Sequence, residues 1–222
     1  MDILEGIKER KSIRGFKPDP IPKEILQKVL ELGIRSPSAE NGQPWEITVV
    51  TGKALDEIRR LNIQKLNARE PFGPEVHMHL HAGVYKERHM KLAAQLYGHM
   101  GIDREDKEKR MAWVQRGFRF YDAPAAIILT ASNSLDESPT QFDHGCLTQT
   151  ICMAALGYGL GTCIAGQGVL FPEVARQVCR IPDSQRIVMS IAIGYPDPDF
   201  PANRLESMRE SLENITTWLG FD

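Results

Sequence analysis

Hydrophobic residues follow two spacings along this chain, and each spacing predicts one kind of element. After Pro22 they recur three and four positions apart, which is the pattern of a helix with one buried face. Residues 46–50, 125–130 and 186–193 are instead short runs of apolar and β-branched residues, which are typical of strands. The pattern therefore predicts three strands.

Helices are predicted over much of the remaining chain. Their expected ranges are residues 2–10, 22–33, 53–62, 82–100, 104–118, 141–156 and 171–180, with residues 204–218 finishing the chain as a helix or an arm. So many helices around three strands favour an α+β fold, with a small mixed central sheet flanked by helices on both faces, over a doubly wound sheet. The helix over 141–156 is apolar all round, so we expect it to be buried on nearly every side. No linker or repeat divides residues 1–222, which we expect to form a single domain.

Composition narrows the functional class. A formal charge of −2 and a pI near 6.3 give the chain no net attraction to nucleic acid or to an anionic membrane. Its apolar runs fall short of the roughly 20 residues that span a bilayer, and the N-terminus lacks a signal-peptide pattern. We expect a soluble, cytoplasmic protein whose four cysteines, without a Cys-x-x-Cys pair, are buried free thiols.

A basic motif near the N-terminus is the first candidate for binding chemistry. Residues 10–14 read Arg-Lys-Ser-Ile-Arg, so an extended backbone would place Arg10, Ser12 and Arg14 on one side. Two guanidiniums flanking a hydroxyl suit a phosphate and the polar edge of a ring, since Arg presents a planar fork of donors. Taken alone, the motif is better explained as a solvated basic turn.

Three further stretches of the sequence favour a ligand-binding role for this motif over a solvated turn. Residues 36–45 read Ser-Pro-Ser-Ala-Glu-Asn-Gly-Gln-Pro-Trp, residues 159–166 read Gly-Leu-Gly-Thr-Cys-Ile-Ala-Gly, and residues 194–196 read Gly-Tyr-Pro, followed by Arg204. The glycines of the second stretch suit a tight turn or a close approach of backbone to ligand. Together with residues 10–14, these stretches resemble the nitroreductase family of FMN enzymes. The resemblance covers nearly the whole chain to about Arg204, except residues 63–118.

The resemblance implies a nitroreductase-like fold and a homodimer with two FMN molecules, each at the subunit interface. It implies that Arg10 and Arg204 hold the FMN phosphate, with Lys11 as a further cation. Ser12 would hydrogen-bond the phosphate or the ribityl chain. Arg14 would approach the pyrimidine edge of the flavin ring.

The resemblance implies two more groups of FMN contacts. Residues of the 36–45 stretch would meet the ring from the other subunit: Pro37, Ser38, Ala39, Asn41 and Gln43. Backbone N–H groups of the 159–166 stretch would reach flavin N5 and O4: Ile164, Ala165 and Gly166.

The chain also departs from the family pattern. Many members carry a basic residue two positions before the one matched by Arg204, where Ala202 stands here, and some carry Glu at the position of Ala165. The Asn that some members direct at the pyrimidine ring has Gln115 or Arg116 as its nearest candidate. The polarity of the pocket is therefore expected to differ from that of those members.

The function implied is an NAD(P)H-dependent oxidoreductase that reduces small electron-poor acceptors, such as nitroaromatics and quinones, by a ping-pong mechanism in one shared pocket. The flavin N5 carries the chemistry, so no side chain is assigned as catalytic. Arg14 near N1 and O2 would favour the negatively charged reduced ring. Alternatives are an ene-reductase or reductive dehalogenase of the same family, or a non-catalytic flavin-binding or scavenging protein. For the dehalogenase, Glu75, Tyr85 and Lys91 occur without the Glu-x-x-x-Tyr spacing.

Five of the six histidines fall within residues 77–99: His77, His79, His81, His89 and His99. Imidazoles on a shared face can ligate zinc, copper or nickel. No carboxylate or thiol completes a known ligand spacing, so no metal site is assigned. We expect the cluster to belong to a variable helical lid over residues 63–118, where this family varies its substrate cover.

Overall fold

The centre of the computed structural model, which describes residues 2–76 and 82–221, is a four-stranded sheet. In chain order its strands are β1 (Glu46–Thr51), β2 (Ala125–Ser132), β3 (Gly161–Ile164) and β4 (Gln185–Gly194). Their spatial order is β1-β2-β4-β3, and every neighbouring pair is antiparallel. The register places Ile127 of β2 opposite Val49 of β1 and Ile191 of β4.

The α+β class and the nitroreductase-like fold are confirmed, while two details of the predicted sheet differ. The paired strands of the described residues are antiparallel, and the sheet is mixed only through the isolated parallel bridge between Ser12 and Thr162. β3 was not predicted, because it is only four residues long and begins with Gly161. A strand this short has no periodicity of its own.

The helices of the described residues lie on both faces of the sheet. They are α1 (Ile3–Glu9), α2 (Lys23–Gly33), α3 (Gly52–Asn67), α4 (Gly83–His99), α5 (Lys107–Phe118), α6 (Glu137–Gly157), α7 (Pro172–Cys179) and α8 (Leu212–Ile215). α3 extends past its predicted end because Ile63 and Leu66 continue its apolar face. α6 begins four residues earlier than predicted, with Pro139 in its first turn, where proline is tolerated.

Two hydrophobic cores form because alternate residues of a strand point to opposite faces. Ala126 and Ile128 of β2 pack on the side of α3 and α7, whereas Ile127 and Leu129 pack on the side of α2 and α6. α2 and α6 approach closely, since a Cβ at Gly33 would lie 2.6 Å from Cγ1 of Ile151.

α6 is buried where it faces the sheet and exposed along one side, so the expectation of burial on nearly every side is wrong for the isolated chain. Phe142 is 74% exposed, and Gly145 and Gln149 are exposed with it. Met153 and Leu156 continue this side with partial exposure. We call these five residues the α6 strip.

Residues beyond Arg204 form an extended arm with the single turn of α8, which agrees with the predicted helix or arm. The arm carries exposed large hydrophobic side chains, among them Trp218, Leu219 and Phe221. None of the helices in the described residues is long and apolar enough to cross a lipid bilayer.

Candidate functional site

The basic motif and the glycine-rich stretch lie side by side. Residues 10–14 leave α1 in an extended conformation, and the N–H of Ile13 donates to the carbonyl of Thr162 at 2.9 Å. Ile13 is buried, whereas Ser12 and Arg14 are half-buried on the other side of the backbone. Burial thus alternates over Ser12, Ile13 and Arg14, as an extended backbone requires, and β3 carries the chain from this contact directly to Ile164.

A cavity of about 900 Å³ opens beside this contact. Its lining includes four cations, Lys8, Arg10, Lys11 and Arg209, and two carboxylates, Glu9 and Glu206. Arg204 and Arg209 are both exposed, and of the two only Arg209 lines the cavity; its Nη1 donates to the carbonyl and the hydroxyl of Ser207 at 2.8 and 2.7 Å. Sequence reasoning missed Arg209 because the arm has no periodicity to indicate which of its side chains lies beside residues 10–11.

The main chain of Arg14 is held by a buried amide from the C-terminal segment. The N–H groups of Arg14 and Gly15 donate to Oδ1 of Asn203 at 2.7 and 3.2 Å. Nδ2 of Asn203 donates in turn to the carbonyls of Gly15 and Asp197, each at 2.8 Å. Asn203 is only 7% exposed and fixes residues 14–15 as a neighbouring strand would.

Arg116, one of the two candidates for the pyrimidine edge, points at the protein backbone instead. Its Nη2 donates to the carbonyls of Arg14 and Tyr121, each at 3.2 Å, and its Nη1 lies 2.9 Å from the carboxylate of Asp122. Burial lowers the pKa of Arg116, and the guanidinium lies 4.7 Å from the ring centroid of Phe200. The other candidate, Gln115, donates to Asn67 at 3.2 Å.

The backbone turn after β3 has one side packed and one side open. The N–H of Ala165 donates to the carbonyl of Ser190 at 2.7 Å, so this donor is engaged within the chain. Ile164 is 45% exposed, and a Cβ placed on Gly166 would meet only the sulfur of Met189, at 3.8 Å. The open side at Ile164 and Gly166 leaves room for a planar ligand against the backbone.

A smaller cavity of about 270 Å³ adjoins Ile164 and is bounded by β4 and α6. Its polar lining residues are Gln141, His144, Thr148 and Gln149. The His144 ring is buried, with Nδ1 2.8 Å from the carbonyl of Thr140 and Nε2 3.3 Å from that of Thr130. Both ring nitrogens therefore face backbone acceptors.

The 36–45 stretch is an ordered surface loop anchored to α6. The carboxylate of Asp143 accepts the N–H of Ala39 at 3.2 Å, and the hydroxyl of Ser36 donates to Thr150 at 2.7 Å. Asp143 of α6 therefore anchors this loop. Most predicted FMN contacts of the loop are exposed, and Ser38 is half-buried: Pro37, Ser38, Ala39, Asn41 and Gln43.

This loop and the Ile164 cavity lie on different sides of α6. The loop meets the helix at residues 143, 146 and 150, whereas the cavity is lined by residues 141, 144, 145, 148 and 149. At about 100° per residue these two sets are on roughly opposite faces of α6. Gly145 and Gln149 of the α6 strip therefore belong to the cavity wall, and the loop is on the far side of the helix from it.

The residues proposed for the lid are only partly described. Glu75 is engaged by Arg176, whose Nε and Nη2 lie 2.9 and 2.7 Å from its two carboxylate oxygens. His77, His79 and His81 lie outside the described residues, and the remaining histidines and candidate lid residues are on α4: Tyr85, His89, Lys91 and His99. Among the residues that the structure describes, no group of three or more His, Cys, Asp or Glu is placed to hold a metal ion.

The four cysteines are free thiols, as the sequence predicts. Cys152 and Cys163 are buried, whereas Cys146 and Cys179 are half-buried. Burial raises the pKa of the Cys152, Cys163 and Cys179 thiols, which makes them poor nucleophiles at neutral pH.

Similarity to known proteins extends over most of the chain. The model of the Nitroreductase family matches residues 7–195. The chain is 33% identical over 221 residues to chloronitrobenzene nitroreductase of Comamonas testosteroni, covering 98% of this chain and 96% of the relative.

Two solved structures have the same fold over almost their whole length. The FMN and NADPH-dependent nitroreductase NfnB from sphigopyxis sp. strain HMH has a TM-score of 0.95 at 28% identity, with 100% of both chains covered. The FMN-dependent nitroreductase NfnB from Mycobacterium smegmatis, in complex with NADPH, has a TM-score of 0.91 at 27% identity, with 98% of this chain and 100% of that chain covered.

Proposed function

The chain belongs to the Nitroreductase family, and from this premise we propose that it is an FMN-dependent oxidoreductase that uses NAD(P)H to reduce small electron-poor acceptors. Nitroaromatics and quinones are the acceptor classes. The observation that carries the proposal is the contact of residues 10–14 with Thr162 of β3. This contact aligns the basic motif with the open turn at Ile164 and Gly166.

The donor set of the chain fits FMN. A phosphate needs cationic donors at one end of the site, and Arg10, Lys11 and Arg209 line the same cavity. A flavin ring needs a flat, uncrowded wall, and the open side at Gly166 offers one. We assign the phosphate to Arg10, Lys11 and Arg209, in place of Arg204.

The remaining contacts follow from the course of the backbone. Ser12, which is on the same side of the extended backbone as Arg14, is assigned to the phosphate or the ribityl chain. Arg14 is assigned to the pyrimidine edge, because Asn203 fixes its backbone and its side chain is half-buried next to Cys163. Ile164 and Gly166 are assigned to the ring, whereas the Ala165 N–H is already engaged by Ser190.

We propose a homodimer in which each loop serves the site of the other subunit. Within one chain the loop and the Ile164 cavity meet roughly opposite faces of α6, and Gly145 and Gln149 of the α6 strip line the cavity. A second copy that packs on this strip through a two-fold axis would place the loop residues of one subunit, including Asn41 and Gln43, next to the cavity of the other. The exposed Phe142 and the apolar arm supply surface for this contact.

When bound, FMN supplies the hydride and electron transfer, for which the chain need provide no acid or base. The chain binds and orients: the cations hold the phosphate, Arg14 faces the pyrimidine edge and the Ile164 turn supports the ring. A nicotinamide and the acceptor would use one exposed face in turn, which gives ping-pong kinetics. His144, with both nitrogens directed at backbone carbonyls, has no part in this scheme.

The test begins with the visible absorption spectrum of the purified protein and identification of the released chromophore. We expect about one FMN per chain, which is the family's stoichiometry of two per dimer. NADH and NADPH oxidation is then measured with a nitroaromatic, a quinone and an activated alkene. Parallel double-reciprocal plots with the nitroaromatic or quinone support the proposal. Protein that binds FMN but oxidises neither nicotinamide would indicate the flavin-scavenging alternative.

A further inference from the structure

Tyr121 lies in a backbone turn that is rare for residues other than glycine. Directly after α5, the φ angles of Phe120, Tyr121 and Asp122 are 56°, 54° and 59°, all in the left-handed region. Packing holds the turn, because Phe120 is fully buried and a Cβ at Gly168 would lie 2.3 Å from its ring. Residues held in such conformations cluster at ligand sites.

The turn directs the Tyr121 side chain between two parts of the proposed FMN site. The guanidinium carbon of Arg14 lies 6.0 Å from the Tyr121 ring centroid, within the range of a cation–π contact. The Tyr121 hydroxyl donates to Oε1 of Gln167 in a long contact of 3.5 Å. Gln167 reaches it across Gly117, where a Cβ would lie 1.8 Å from the same oxygen.

The protonation state of Tyr121 suits this position. Burial raises the pKa of its phenol, which therefore stays neutral and can donate to Gln167. The positive charge of Arg14 acts in the opposite direction and lowers this pKa. Arg14 is held at its main chain by Asn203 and Arg116, and its guanidinium lies against the Tyr121 ring.

We propose that Tyr121 is a positioning residue of the FMN site, which orients the Arg14 guanidinium toward the pyrimidine edge and ties it to Gln167 in the Gly166–Val169 turn. The proposal rests on the proposed function, because it requires Arg14 to face FMN. An arginine side chain held in one geometry loses less conformational freedom when it binds. The positive charge is then already in place where negative charge develops when the ring is reduced.

The test compares Tyr121→Phe with Tyr97→Phe as a matched control. Tyr97, on α4, stacks its ring with Arg110 and belongs to the same hydrophobic cluster as Tyr121, so this variant removes a hydroxyl from that cluster and leaves the contact between Tyr121 and Arg14 intact. The readouts are the Kd for FMN, from quenching of flavin fluorescence, and the reduction potential of bound FMN. We expect Tyr121→Phe to raise Kd roughly three- to tenfold and to make the potential more negative, while Tyr97→Phe changes neither.

A double-mutant cycle separates positioning from a general loss of structure. In an Arg14→Ala background, Tyr121→Phe should change neither readout further. The proposal would be overturned if Tyr121→Phe weakened FMN binding equally in the Arg14→Ala background. It would also be overturned if the Tyr121→Phe single variant kept the wild-type Kd and reduction potential. Gln167→Met, which removes the acceptor of the phenol, should shift both readouts in the same direction and decides the matter if Tyr121→Phe does not fold. Wild-type protein that fails to bind FMN would instead overturn the proposed function, and this proposal with it.

Discussion

At the scale of single residues, Arg209 and Arg204 differ in what their positions allow them to bind. Only Arg209 lines the cavity of Arg10 and Lys11. A hydrogen bond to a charged group contributes about 1.5–3 kcal/mol, so Arg209→Ala is expected to weaken FMN binding roughly 10- to 100-fold. Arg204→Ala is the matched control and should change Kd by less than about twofold. Fluorescence titration measures both, and a larger loss in Arg204→Ala would return the phosphate to the residue that the sequence indicates.

The ion pair between Glu75 and Arg176 leads to a second prediction at the scale of single residues, which concerns stability. The pair is mostly buried, and Glu75 also accepts the N–H of Ile187 at 2.6 Å. Glu75→Gln is expected to destabilise the protein by about 2–4 kcal/mol, because it leaves the Arg176 charge without its partner. Urea unfolding at a fixed protein concentration measures this change. Glu57→Gln, which removes an exposed pair with Arg60, should leave the midpoint where it is.

Sequence reasoning predicted part of the candidate site and could not reach the rest. The spacing of residues 10–14 predicted the alternation of Ser12 and Arg14 because it depends only on extended geometry. Tyr121 escaped notice because a left-handed turn of non-glycine residues leaves no mark in the sequence. The sequence also did not indicate that Asn203 fixes the backbone of residues 14–15, because its partner Gly15 is 188 positions away.

At the scale of elements, replacing a helical glycine by alanine should change the stability in opposite directions at two positions: Gly33, where α2 packs closely on α6, and Gly98, which has open space around it. Gly33→Ala would place a methyl group 2.6 Å from Ile151, and overpacking of this kind costs about 1–3 kcal/mol. Gly98→Ala, in α4, meets nothing within 4 Å and is expected to stabilise by about 0.5–1 kcal/mol through helix propensity. Thermal or urea unfolding of both variants checks the signs. Equal effects would show that the helices do not pack as described.

The long elements were predictable because their own residues specify them. β2 and β4 are apolar enough to identify alone, and the predicted ranges differ from the observed ones by only a few residues at each end. β3 becomes a strand through its partners, Ser12 on one side and β4 on the other. The exposed side of α6 could not be distinguished from its buried side by sequence, because apolar residues occur both in subunit interfaces and in hydrophobic cores.

At the scale of the whole molecule, the α6 strip predicts how the protein associates. Phe142→Asp would place a charge in the proposed subunit interface, where it lacks a partner, and should shift dimer to monomer. FMN should be lost with the dimer, since the loop of the second subunit leaves the site. Met111→Asp, at an exposed position of α5, is the matched control and should remain dimeric. Sedimentation across a dilution series checks both, and a wild-type monomer that holds FMN fully would contradict the proposal.

The proposed site, in which the loop of one subunit faces Arg14 of the other, has a consequence for mixed populations of chains. Suppose that one inactive variant carries a damaged loop at Asn41 and Gln43 and another lacks Arg14. If the two are unfolded together and refolded, random pairing gives about half heterodimers. In each heterodimer one site collects both lesions, while the other is assembled entirely from intact parts. The mixture of two inactive variants would thus regain up to about a quarter of the wild-type activity per chain. A mixture of two variants that both carry the lesion in the loop would regain none.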